Sequence, residues 1–191
     1  WVISGEAAHA GSDAFKITHA EGRFWKKDAA DAAWAKVAHA SEATVKDVER
    51  KSRTQRPPVP FNTTSLQAAA AAEGISPART MRLAESLYMD GLISYPRVDN
   101  TVYPSSLDLK DCVRTISKVP QYASTCQALL GQPKLTATRG KQETTDHPPI
   151  YPTGAADPDK LQPAAWKLYN LIARRFLATL MGPATIEGTK V

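Results

Sequence analysis

Cysteine is scarce: Cys112 and Cys126 are the only two in 191 residues. Two are too few for a disulfide framework, and neither has partners at zinc-site spacing, so a reduced, intracellular setting is the simpler expectation. Long apolar runs are missing as well. Nothing approaches the roughly 18 residues that would span a bilayer, and no signal peptide opens the chain. There is no glycine-rich phosphate loop, which argues against nucleotide hydrolysis, and no gathered set of carboxylates of the kind a two-metal site needs. Charge of one sign is only mildly in excess. A net charge of +5 names no partner by itself.

What is present is ordinary for a soluble globular chain: 42% hydrophobic and 23% charged residues, in a length that suits one ample domain or two small ones. The basic excess is unevenly placed. Between Lys160 and Arg175 the charged residues are Lys160, Lys167, Arg174 and Arg175, and between Gln132 and Lys141 they are Lys134, Arg139 and Lys141, with no acid in either stretch. Such patches suit a polyanion, nucleic acid first, or a solvated basic face with no ligand. The chain opens on Trp1 rather than Met and stops in "ATIEGTKV", which reads as a strand just begun. A piece of a larger protein is expected.

Alternation in "AFKITHAEGRFW" predicts a strand with Phe15 and Ile17 on one face. "DAADAAWAKVAHA" predicts a helix capped by Asp28, with Ala30, Trp34, Val37 and Ala38 at helical spacing. "ATVKDVERKSRTQ" reads as an extended edge strand. The prolines of "RPPVPF" then forbid both helix and ladder and mark a stiff boundary. Helical signals follow. Asn62 or Thr63 can cap "NTTSLQAAAAAEG", which Gly74 stops. Ser76 and Pro77 open "SPARTMRLAESLYMDG", which Gly91 stops. Two helices joined by a tight turn and followed by "LISY" fit a helix-turn-helix with a wing-like strand. Further helices are expected in "PSSLDLKDCVRTISKV", "YASTCQALL" and "AAWKLYNLIARRFLATLM", the last with an apolar stripe of Trp166, Leu168, Tyr169, Ile172, Phe176 and Leu177. The proline-rich stretch from Gly131 to Pro163 suits a functional loop.

Two residues carry candidate chemistry. Tyr95 ends the apolar run "GLISY", and Pro96 and Arg97 follow it. An ordinary phenol is protonated at neutral pH and needs help to attack anything. Arg97 can favour the attacking anion or grip a phosphate oxygen. Attack on a phosphodiester would exchange one diester for another, so bond energy is kept and no nucleotide cofactor is needed. Tyr95 also shares strand parity with Ile93, so a core role fits equally well. His147, held by Pro148 and Pro149 in "TTDHPPIYPT", can donate to a phosphate or simply sit on a rigid surface loop. His9, His19 and His39 show no ligand spacing.

Taken together, "PFNTTSLQAAAAAEGISPARTMRLAESLYMDGLISYPRVDNT", "DHPPIYPTG" and "LYNLIARRFLA" resemble, in order, the catalytic-tyrosine region of type IA DNA topoisomerases, the second motif in its archaeal form. The resemblance runs from about Pro60 to Leu180. It implies Tyr95 as nucleophile, Arg97 as stabiliser of the attacked phosphate and His147 as a phosphate contact. The intermediate would join tyrosine to the 5′ phosphate of a cut single strand, leaving a free 3′ hydroxyl for rejoining after strand passage. Asp99 completes the Tyr-x-Arg-x-Asp motif and, with Arg79, Arg82, Arg139 and Lys141, is expected to face nucleic acid. Met89 stands where many bacterial relatives carry an acid, and the His-Pro-Pro form lacks the arginine of common bacterial members.

The implied fold is α+β. Residues 61–182 would form a mainly helical, winged-helix (CAP-like) catalytic domain, inserted into a β-rich domain to which residues 1–60 belong. Residues 183–191 would return as a strand. The family's Mg2+ would be bound by an acidic Toprim domain that nothing in this chain matches, so no metal ligand is expected here. The expected partners are a single-stranded DNA segment and that missing domain, and the expected location is the nucleoid in the cytoplasm. Alone, the piece is expected to bind single-stranded DNA weakly and not to relax supercoils. A non-catalytic helix-turn-helix module docking through Arg79, Arg82 and the basic loop is the alternative. In a third possibility, a structural hinge, Tyr95 is core.

Overall fold

A computed structural model describes residues 1–9, 11 and 13–191. They fall into two compact units, Trp1–Lys51 with Glu187–Val191, and Ser52–Ile186.

In the first unit, β1 (Ser4–Ala7) pairs antiparallel with β2 (Phe15–Thr18), placing Gly5 opposite Ile17 and Ala7 opposite Phe15. Phe15 and Ile17 share a face as the alternation predicts, but both are exposed. Helix α1 (Lys27–Val37) begins one residue before the expected cap. Lys26 holds the N-cap position with no side-chain bond, and Asp28 sits inside the first turn, where its charge still suits the helix dipole. Of the anticipated apolar stripe only Ala30 is buried, while Trp34 and Val37 face solvent. β3 (Glu49–Gln55) and β4 (Ala184–Lys190) form a second two-stranded sheet, through which the division between the units passes.

The second unit is helical: α2 (Thr63–Ala72), α3 (Pro77–Met89), α4 (Leu109–Ile116), α5 (Ala123–Leu130) and α6 (Pro163–Thr179). Asn62 caps α2 through a capping box with Ser65, its side chain accepting from the Ser65 N–H at 2.9 Å. Pro77 and Pro163 occupy first-turn positions, where no N–H is missed. Both α2 and α3 end in left-handed glycines, Gly74 at φ 80° and Gly91 at φ 70°. Beyond them, the Ile75 and Leu92 amides close back on Ala70 and Leu87, each at 2.9 Å. α3 packs on α2 and α6, and α4 on α5. Leu168, Tyr169, Ile172 and Phe176 of α6 are wholly buried, joined by Phe61, Leu66, Leu87 and Ile93. The α6 stripe matches the sequence pattern closely, except that Trp166 is only half-buried, stacked on Tyr169.

The expected strand "LISY" is reduced to a single bridge between Ile93 and Pro152. The reason lies in its partner. Residues 148, 149 and 152 are prolines, so three of the amide donors that a continuous ladder would draw on are missing from that side. Side chains fill the gap. The Ser94 hydroxyl donates to the Pro149 carbonyl at 3.1 Å and accepts from the Tyr151 amide at 3.0 Å, while the Ser94 amide donates to the Tyr151 carbonyl at 2.9 Å. The predicted loop from Gly131 to Pro163 otherwise holds only one short 3₁₀ turn, Pro158–Lys160.

Candidate active site

Schellman closure at Gly91 turns the chain sharply out of α3. Residues 92–94 then lie against residues 149–154, which leaves Tyr95 at the end of a braced segment. Tyr95 is half-buried, unlike the core tyrosines. Burial pushes the phenols of Tyr103 and Tyr122 far up and that of Tyr169 to about 12. The Tyr169 hydroxyl also donates to the Gly154 carbonyl at 2.6 Å, as a buried phenol should. The Tyr95 hydroxyl has no hydrogen-bond partner among the described residues. Its ring lies between two others, with the His147 ring at 4.7 Å between centroids, tilted 47°, and the edge of Tyr88 from the last turn of α3 at 5.5 Å. The two residues singled out from sequence are therefore in contact across 52 positions of chain.

Arg97 is exposed, and its side chain turns back to α3. Its Nε donates to Glu85 Oε1 at 3.0 Å, and Nη2 donates to the same oxygen. Glu85 holds the guanidinium pKa above its ordinary value, mainly by that hydrogen bond and then by charge, with Tyr95 adding least. Met89, where an acid was missed, is exposed in solvent; the acid that serves Arg97 comes one turn earlier. On the backbone side Thr63 holds the flanks of Arg97. Its hydroxyl lies 2.8 Å from the Pro96 carbonyl and 3.1 Å from the Val98 carbonyl and accepts from the Val98 amide at 2.8 Å.

An open groove of about 580 Å³ runs beside these groups, lined by Thr63, Thr64, Arg97, Asp99, Thr144 and Asp146 among others. Tyr95 stands next to it, since Arg97 follows two residues on and Asp146 adjoins His147. The loop that forms the far wall is stitched to the chain after Tyr95. Asn100, buried, donates from one amide nitrogen to the carbonyls of Thr144 at 2.9 Å and His147 at 3.0 Å. Thr101 exchanges bonds with Gln142 through both its amide and its hydroxyl.

Gly140 passes so close to Thr101 that a Cβ there would meet Thr101 Oγ1 at 2.1 Å and its carbonyl oxygen at 2.8 Å. Gly140→Ala is expected to cost about 1–3 kcal/mol through forced displacement of this loop. Thermal unfolding measures the loss, and broadening of the His147 ring signals by NMR reports the displaced loop. Unchanged stability and an unchanged spectrum would contradict the close approach.

Asp146 lies below its ordinary 3.8 because the Thr144 hydroxyl and the His147 amide donate to its carboxylate, with the His147 charge contributing least. A lowered folded-state value means that these contacts contribute fully above the ordinary value and are lost as pH falls through the lowered one. The Asp146 carboxyl-carbon shift should therefore show its main titration step with a midpoint below 3.8. Movement centred above pH 4 would overturn the assignment.

Of the remaining candidates, Asp99 lines the groove. Arg79 and Arg82 are exposed on α3, outside the groove, with no ion-pair partner among the described residues. Arg79 stands roughly 13 Å along the helix from Tyr88. Arg139 is ion-paired with Glu143, and Lys141 is exposed in the same loop. Thr63 was anticipated only as a helix cap, and Glu85 and Asn100 escaped the sequence analysis. Only Glu85 left a signal there, one helical turn from both Arg82 and Tyr88. Among the described residues no three of His, Cys, Asp or Glu gather as a metal-binding group. Asp99 and Asp146 share the groove, but two carboxylates, one already satisfied by Thr144, do not make a magnesium cage.

A family model described as DNA topoisomerase matches residues 1–191. The DNA topoisomerase 1 of Archaeoglobus fulgidus is 42% identical over 169 residues, covering 88% of this chain and 25% of that protein. That of Pyrococcus horikoshii is 42% identical over 149 residues, covering 77% and 22%. The human DNA topoisomerase 3-beta-1 is 38% identical over 140 residues, covering 73% of this chain and 16% of its own. This chain thus spans about a quarter of the length of the archaeal relatives it matches. Among solved structures, full-length topoisomerase I from Thermotoga maritima superimposes with a TM-score of 0.55 at 26% identity, covering 92% of this chain and 29% of that one.

Proposed function

The chain belongs to the type IA DNA topoisomerase family, and from that premise we propose that it is the strand-cleaving portion of a longer enzyme, with Tyr95 as nucleophile. The phenolic oxygen attacks a backbone phosphorus in single-stranded DNA. A tyrosine O–P bond forms as the P–O3′ bond breaks, the phenol gives up a proton, and the departing 3′ oxygen takes one up. The product is a 5′-phosphotyrosine ester and a free 3′ hydroxyl. Rejoining, after another strand has passed, is the same exchange in reverse. No net bond energy is lost, so no nucleotide is consumed.

The observation that carries this reading is a half-buried phenol, without a hydrogen-bond partner among the described residues, that touches His147 and stands two residues from Arg97. Arg97 offers charge to the attacked phosphate, and His147 offers a donor. Asp99, Arg79, Arg82, Arg139 and Lys141 would guide the strand, the basic members through phosphate attraction. α2 and α3 with their tight turn, followed by the bridged segment at Ile93, support a winged-helix description. The Mg2+ of the family would be held by a Toprim domain of the same longer protein, and no step described here passes through it. Among the described residues no helix is long and apolar enough to cross a membrane. Work on DNA would put the longer enzyme at the nucleoid.

The test is covalent trapping. Labelled single-stranded DNA is mixed with the longer enzyme, denaturant is added, and the adduct is mapped by proteolysis and mass spectrometry. The label is expected on the peptide that contains Tyr95. An adduct on any other tyrosine rejects the proposal.

A further inference from the structure

The Arg97 side chain is long and exposed, and an unrestrained guanidinium would sample many rotamers before meeting a phosphate. Two contacts from outside its own segment remove that freedom. At its base, Thr63 at the start of α2 bonds the residues on either side of Arg97, reaching the Pro96 carbonyl at 2.8 Å and the Val98 amide at 2.8 Å with one hydroxyl group. The Thr63 amide adds a bond to the Val98 carbonyl at 2.9 Å. At its head, Glu85 takes the Nε–H and one Nη2–H through a single carboxylate oxygen. A guanidinium has five N–H donors. Those two are engaged, and the remaining Nη donors have no partner among the described residues.

We propose, on the reading that Tyr95 is the nucleophile, that Thr63 and Glu85 are positioning residues that clamp Arg97 and aim its free Nη edge at the attacked phosphate. The two differ in chemistry. Thr63 acts through a hydroxyl that must both donate and accept, which valine cannot do at nearly the same volume. Glu85 acts through charge and one oxygen, and glutamine keeps its length without the charge. Neither is a catalytic residue in this scheme, because each acts through Arg97. An exposed ion pair of this kind contributes little to folding, so its value lies in direction rather than stability. Glu85 also stands close to a residue already tied to the site. It is one helical turn from Tyr88, whose edge meets the Tyr95 ring.

The experiment has two parts. In this chain, the Arg97 Nε–H resonance is followed by NMR. It is expected to be sharp and shifted downfield in the wild type, and lost or broadened in Thr63→Val and Glu85→Gln. In the longer enzyme, single-turnover cleavage of a single-stranded oligonucleotide is measured beside its equilibrium binding. Thr63→Val and Glu85→Gln should each slow cleavage about 10- to 100-fold while affinity stays within about twofold, the pattern of a group felt only in the transition state. Thr63→Ser, which keeps the hydroxyl, should cleave within about threefold of wild type.

Wild-type cleavage rates in either variant overturn the clamp, and so does a serine variant as slow as the valine one, which would indicate packing rather than hydrogen bonding. If Thr63→Val fails to fold, the solvent-facing Glu85→Gln decides alone. Tyr95→Phe serves as control: an adduct that survives it removes the nucleophile reading itself, whereas its loss beside a wild-type-like Glu85→Gln removes only the clamp.

Discussion

Tyr95→Phe is expected to reduce the covalent protein–DNA complex of the longer enzyme by at least about four orders of magnitude, the scale seen when a nucleophile is deleted. The change removes one oxygen and nothing else that the structure uses. The ring keeps its contacts with Tyr88 and His147, and the hydroxyl has no hydrogen-bond partner among the described residues to lose. Stability should therefore change by less than about 0.5 kcal/mol, as for other substitutions outside the core. Binding of single-stranded DNA should survive within a fewfold, because the cations and His147 remain. The combination is diagnostic. A non-catalytic docking module would show the same binding in both forms and an adduct in neither. A core tyrosine would show its loss in the melting curve. Trapping, melting and a binding titration on the same pair of proteins separate the three.

Phe176→Ala is expected to have the largest effect on folding, about 3–5 kcal/mol. Phe176 of α6 is wholly buried, and its ring meets Tyr103 at 5.8 Å and Tyr151 at 6.2 Å between centroids. Tyr151 is the residue whose amide and carbonyl bond Ser94, directly before Tyr95. Truncation would leave a cavity between the longest helix and the loop that braces the candidate nucleophile. Against a domain stability of about 5–15 kcal/mol, such a loss is a large fraction of the whole. The melting temperature of the Ser52–Ile186 unit should fall on the order of 10–20 °C. Phe176→Leu, which refills much of the space, should recover most of it. A drop of less than about 3 °C for the alanine variant would show that the ring is not central to the core.

The helices were legible in the sequence because their signals are local. Asn62 before α2, Pro77 in the first turn of α3, and glycines at 74 and 91 each act within four residues of the boundary they set. The apolar stripe of α6 was legible for the same reason. Features that depend on distant chain were not. "LISY" carries every local mark of a strand, yet its pairing was decided by three prolines more than 50 residues away. Phe15, Ile17 and Trp34 follow the right periods, but periodicity shows only that residues share a face, and here that face is open. Asp28 was a reasonable cap, displaced when the helix began two residues sooner.

At the site, Tyr95 and His147 could be named because each sits in an unusual local context, a strand-like end before proline and a proline-locked loop. Their contact could not be inferred from either context. Thr63 and Asn100 act through backbone groups 33 to 47 residues away, and a hydroxyl or amide beside a helix start gives no hint of that reach. Glu85 was hidden differently. An acid on a helix surface is commonplace, and only the folded chain shows which cation it meets.

Tyr95, Arg97, His147 and the residues that brace them all lie within Ser52–Ile186. On the reading that Tyr95 is the nucleophile, a severed end would be moored by side chains of one compact unit, so the spacing among its anchors is set inside that unit alone.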